Sequence, residues 1–126
     1  MQKEHYRIWV SYSGLRKPVK RICQSAESAK QMVQAYRRRT PNSKIIIQRW
    51  TLVVEMVSGE YLCATPFFQL PDGAVFSWHA HTVKAIVASK ERFKATVQEV
   101  KEKVEVAKSD PTIIGVTLWI VEDCTL

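Results

Sequence analysis

At 126 residues, 46% hydrophobic and 25% charged, the chain can bury about two thirds of its unfolded surface in a single domain without a metal or disulfide, and its composition excludes a disordered or low-complexity segment. Three cysteines, odd in number and far apart, exclude a disulfide framework and point to reduced thiols in a cytoplasmic protein, while the formal net charge of +7 points to a polyanionic partner. The polar start Met1 to Arg7 does not lead into a signal peptide, and no apolar run approaches the ~18 residues of a membrane helix, so no membrane association is expected.

Tyr6 to Tyr12 is rich in β-branched and aromatic residues. Tyr6, Ile8, Val10 and Tyr12 alternate on one face of it and Trp9 falls on the polar face, which predicts a half-buried strand. Ser13-Gly14 opens a turn, and Val19 to Gln24 returns as the second strand. Ser25 then caps a helix over residues 26 to 39, because a serine hydroxyl can accept from a first-turn amide that has no partner within the helix. Ala29, Met32, Val33 and Tyr36 recur at helical spacing as its buried stripe, and Pro41-Asn42 ends it.

A strand follows from Lys44 to Trp50, and the β-rich run continues to Val57, long enough for a bent or two-part strand. Ser58-Gly59 supplies a turn, Tyr61 to Leu70 returns, and Pro71-Asp72-Gly73 turns again with residues that tight turns prefer. Pro66 inside the returning strand predicts a sheet edge or a bulge, since proline has no amide proton for the ladder. Phe67 and Phe68, as neighbours on a strand, face opposite ways and leave one ring exposed. From Ala74 to Ser89 no Gly, Pro, Asn or Asp appears, so the segment is either a hairpin turning at His81-Thr82 or one long strand, with Ala74, Phe76, Trp78 and Ala80 on its apolar face.

A second helix is predicted over 90 to 108 from the stripe Phe93, Val97, Val100, Val104 and Ala107, and a last strand from Thr112 to Trp119. Residues 19 to 30 match 83 to 94 at a constant offset in Val, Lys, Ile, Ser, Glu and Lys, with Val33-Gln34 matching Val97-Gln98 further on. Copies of a strand-strand-helix-strand unit are therefore expected at about 5 to 50 and 74 to 121, joined by a hairpin segment over 51 to 73. The fold class predicted is α+β: one largely meandering antiparallel sheet of about six or seven strands with two helices on one face.

Charge separates the two copies. Residues 1 to 50 hold twelve Lys and Arg against Glu4 and Glu27, whereas residues 51 to 126 hold seven basic residues against ten acidic ones. Arg37, Arg38 and Arg39 close the first helix, Arg16, Lys17, Lys20 and Arg21 surround the first hairpin, and Lys44 and Arg49 lie on the next strand. Cations in such a cluster replace the counterions condensed on nucleic acid, the largest sequence-independent contribution to its binding. The second helix, with Lys94, Glu99, Lys101, Glu102, Lys103 and Glu105, reads instead as an ordinary solvated face.

These nine basic residues are the expected contacts to DNA or RNA. The alternative is an interaction module docking an acidic protein surface, with homodimerisation through an edge strand as one form. No enzymatic activity and no cofactor are expected: there is no Gly-rich phosphate loop, no G-x-S-x-G elbow and no nucleophile with a motif around it. His79 and His81 share one face of a strand as two imidazole ligands would, but local sequence names no third ligand, so no metal is assigned.

Overall fold

The computed structural model describes residues 3–14, 16–57, 60–82 and 88–126. It shows one antiparallel sheet of seven strands and two α-helices: β1 (Glu4–Ser11), β2 (Val19–Cys23), α1 (Ala26–Arg39), β3 (Lys44–Val57), β4 (Glu60–Cys63), β5 (Val75–Thr82), β6 (Ala88–Lys94), α2 (Val97–Ser109) and β7 (Ile113–Asp123). The strand order is β2-β1-β3-β7-β5-β6, with β4 paired to β3 off that path. Among the described residues, no helix is long and apolar enough to cross a membrane.

The chain divides into two compact units, an N-terminal one of Glu4–Trp50 with Glu122–Leu126 and a C-terminal one of Met1–Lys3 with Thr51–Val121. In the N-terminal unit β1 and β2 form an antiparallel hairpin, in register from Tyr6 opposite Cys23 to Val10 opposite Val19. Alternation puts Tyr6, Ile8 and Val10 on one face, where they pack with Cys23, Ile47, Ala29 and Val33 into a buried cluster. Ala29 and Val33 are the stripe of α1, and Met32 and Tyr36 flank it half-buried. Ser25 caps that helix, its Oγ accepting from the Ser28 amide at 3.1 Å, and at the other end the Thr40 amide donates to the Tyr36 carbonyl at 2.7 Å before Pro41 stops the chain from coiling further.

In the C-terminal unit β5 pairs with β6, from Val75 opposite Lys94 to His81 opposite Ala88, so residues 74 to 89 contain a hairpin rather than one long strand. His81 and Thr82 belong to β5 and not to the turn, and the connection at 83–87 lies outside the described residues, as does the turn predicted at 58–59. Phe76, Trp78 and Ala80 on β5 and Val116, Leu118 and Ile120 on β7 are buried against Val100, Val104 and Ala107 of α2.

Three expectations are corrected. The second helix begins at Val97, not at 90, because Thr96 is extended (φ −72°, ψ 160°) and forms a capping box with Glu99: Thr96 Oγ1 accepts from the Glu99 amide and Glu99 Oε2 accepts from the Thr96 amide. Phe93, Lys94 and Arg92 therefore lie on β6, and Phe93 packs against Phe76 across the hairpin, ring centroids 5.7 Å apart.

The strand expected from Tyr61 to Leu70 ends at Cys63. Thr65 turns inward, its hydroxyl donating to the Leu52 carbonyl at 2.9 Å, and Pro66 starts a 3-10 turn over Phe67–Gln69. One phenyl ring is exposed, Phe68 at 84%, but this follows from the turn and not from strand alternation.

The third correction concerns the internal match. The order strand, strand, helix, strand occurs twice, as β1-β2-α1-β3 and β5-β6-α2-β7, yet the residues matched in sequence are not equivalent: Glu27 and Ala29 are helical while Glu91 and Phe93 are on a strand. Cap aligned to cap, Ser25 falls on Thr96, which places buried Ala29 with Val100 and buried Val33 with Val104. The sequence match differs from that alignment by seven residues and does not establish a duplication. Seven residues are close to two full turns, so a hydrophobic stripe looks the same after such a slip.

Candidate functional site

The N-terminal unit holds eleven Lys and Arg against four acidic residues, Glu4, Glu27, Glu122 and Asp123, while the C-terminal unit holds eight against eight. The whole surplus of +7 thus belongs to one compact unit. Within that unit the nine basic residues named from sequence do not form one patch. They fall at three places.

The first place is the flank where α1 lies beside β2. A groove of about 440 Å³ is lined by Arg21, Ser28, Gln31, Met32, Ala35, Tyr36 and Arg39. Arg21 reaches it because β2 alternation turns it to the helix side, opposite Ile8. Its Nε donates to Tyr36 Oη at 3.0 Å, a bond that also holds the guanidinium charge more firmly. With Nε engaged, the Nη groups remain to face a bidentate acceptor such as a phosphate or carboxylate.

Arg39 follows Tyr36 by three residues and borders the same groove. Arg37 and Arg38 are exposed beside it at the C-terminal end of α1, where they also complement the helix dipole. Arg16 and Lys17 are exposed in the connection between β1 and β2.

Arg49 is differently placed. It donates from Nε and Nη2 to Glu122 Oε2, at 3.2 and 2.6 Å, forming an ion pair inside the unit. A partner anion would have to displace that carboxylate.

The third place is the face of the sheet turned away from α1. Strand alternation puts His5, Arg7 and Trp9 of β1, Lys20 and Ile22 of β2, and Lys44, Ile46, Gln48 and Trp50 of β3 on it. Gln48, only 6% exposed, accepts from two indoles through one atom: Trp9 Nε1 donates to Oε1 at 2.9 Å and Trp50 Nε1 at 3.2 Å. The Arg7 guanidinium lies 3.6 Å from the centre of the Trp50 ring, and the His5 ring stacks on the same indole at 5.8 Å. Arg7 Nε donates to His5 Nε2 at 3.0 Å, which requires His5 to be neutral; burial, and then the neighbouring Arg7 charge, push its pKa down to about 4. Lys20 lies over Trp9, with Nζ 5.8 Å from the ring centre.

Arg7, Trp9, Gln48 and Trp50 were not among the residues chosen from sequence. Their signal was available as i, i+2 pairs of large residues on the polar faces of two strands, which is where an unfilled face would show. In the C-terminal unit cations likewise lie over rings: Lys103 lies 4.5 Å from the Phe93 ring and 5.1 Å from Trp78, and Lys108 lies 4.5 Å from Tyr61. His79 and His81 touch edge to face with centroids 4.3 Å apart, and among the described residues no group of three His, Cys, Asp or Glu assembles around them.

Comparison with protein-family models, with curated proteins and with solved structures returns no match.

Proposed function

We propose that the protein is a non-catalytic nucleic-acid-binding protein whose N-terminal unit contacts phosphates, chiefly through the α1–β2 flank. The observation that carries this is the charge division: eleven cations against four acids in one unit, beside a unit that is neutral by count. Arg21, oriented by Tyr36, and Arg37, Arg38 and Arg39 form the phosphate-contacting set, with Arg16 and Lys17 extending it along the hairpin tip. Arg49 takes no direct part, since Glu122 occupies it.

Binding of this kind depends on salt and little on sequence. Purified protein should shift unrelated nucleic acids at low salt and release them as salt rises, and it should elute late from heparin. Binding of one sequence alone, insensitive to salt, would contradict the proposal.

A second reading has its own observation. The C-terminal unit exposes Phe68 at 84% and Leu62 at 62%, apolar groups that suit a protein contact. Under that reading the protein is an interaction module, and one protein should co-purify with it free of nucleic acid.

A further inference from the structure

We propose that the sheet face opposite α1 in the N-terminal unit binds single-stranded nucleic acid, with one base stacking on Trp9. This rests on the phosphate-binding reading above and names the form of nucleic acid that the unit prefers. Three observations lead to it.

The Trp9 ring is held in place before any ligand arrives. Its N–H is fixed to Gln48 Oε1, and Gln48 is itself buried and fixed by the Trp50 N–H, so the indole needs little further ordering to serve as a platform. Trp50 is not that platform: it is 5% exposed, under His5 and Arg7.

The polar atoms of this cluster are already used in a way that leaves the Trp9 ring as its contact surface. Both indole N–H groups converge on one oxygen, so Trp9, half-buried and with Lys20 Nζ 5.8 Å from its ring centre, has only its ring left to meet a ligand. A ring face accepts any base. Ile22 and Ile46, 48% and 40% exposed, extend the apolar surface to either side, each two residues along its strand from Lys20 and Gln48.

The charge of the face selects the occupant. Arg7, Lys20 and Lys44 lie on it against one acid of the unit, Asp123, which alternation in β7 turns to this face because its neighbour Glu122 meets Arg49 on the other. A strand whose bases rest on Trp9 and the isoleucines would run its phosphates past these cations. A duplex cannot use the face in this way, because its base planes are covered by their neighbours in the stack.

The test compares ligands of equal charge. Short oligothymidylate and oligouridylate, an abasic strand of the same length and a duplex are titrated by fluorescence anisotropy into the full chain. The base-bearing strands should bind roughly tenfold more tightly than the abasic one, as stacking of a single base allows. Whichever of the two base-bearing strands binds more tightly identifies DNA or RNA as the source.

Trp9→Ala should remove that preference and leave duplex binding unchanged, and Trp9→Phe should keep most of it. If Trp9→Ala does not fold, the abasic comparison on the unmodified protein and the Trp9→Phe variant decide. Equal binding of abasic and base-bearing strands would overturn this inference while leaving the phosphate reading intact. No binding of any strand or duplex at low salt would overturn both.

Discussion

His5 shows how one residue ties the open sheet face to pH. Its neutral ring accepts from Arg7 and stacks on Trp50, and its pKa is pushed down to about 4 by burial and by Arg7. In the unfolded chain the same imidazole titrates near its ordinary 6.5. Between those values the unfolded state binds more protons than the folded one, so stability contributed here is complete above about 6.5 and is lost as pH falls towards 4. Because the ring is only partly buried, the loss is on the order of 1 kcal/mol after screening. Thermal unfolding followed from pH 7 to pH 4 should show this decline in the unmodified protein, and His5→Phe should reduce it. An unchanged profile in the variant would contradict the assignment of this decline to His5.

At the scale of elements, the caps locate the helices and the hydrophobic stripes do not. Ser25 marks the start of α1 in sequence and in space, and the helix runs over the residues its periodicity indicates. For α2 the stripe extends in sequence through Phe93, and only the Thr96-x-x-Glu99 box shows that coiling begins afterwards. Phe93 is apolar because it meets Phe76 across a hairpin, a cross-strand need that has the same sequence appearance as one more helical turn. Thr96→Ala should therefore cost about 1 kcal/mol of stability, read as a lower denaturant midpoint with unchanged slope. Ser25→Ala should cost a similar amount in α1. A loss of less than a few tenths at Thr96 would mean that packing of Val100 and Val104 alone sets where α2 begins.

The strand faces were legible wherever alternation was clean, as at Tyr6, Ile8 and Val10 or Phe76, Trp78 and Ala80. The stretch after Cys63 was not, because Thr65 and Pro66 redirect the chain through a single buried hydrogen bond to Leu52 that local patterning cannot register. Nor was the cluster around Gln48 legible as such. It joins residues about forty positions apart, and only the pairing of β1 with β3 brings them together.

For the whole molecule, the uneven division of charge is the property that the sequence and the structure express in the same way. The sequence places the cations in its first fifty residues, and the fold collects them in one compact unit. What the sequence alone did not show is that they occupy separate places: a groove flank oriented by Tyr36, an ion pair at Arg49, and an open sheet face with tryptophans. The lysines of α2 offer the natural contrast, since glutamates alternate with them and aromatic rings lie beneath them.

The most direct measurement is therefore a salt titration of duplex DNA binding by three proteins: the unmodified chain, Arg37→Ala with Arg38→Ala and Arg39→Ala, and Lys94→Ala with Lys101→Ala and Lys108→Ala. The arginine variant should bind unrelated sequences more weakly to a similar degree, and its slope of log K against log salt should flatten by ~0.9 for each phosphate contact removed. The lysine variant should retain nearly the slope and affinity of the unmodified chain. Equal losses in the two variants, or no binding by the unmodified chain at low salt, would contradict the assignment of the binding surface to the N-terminal unit.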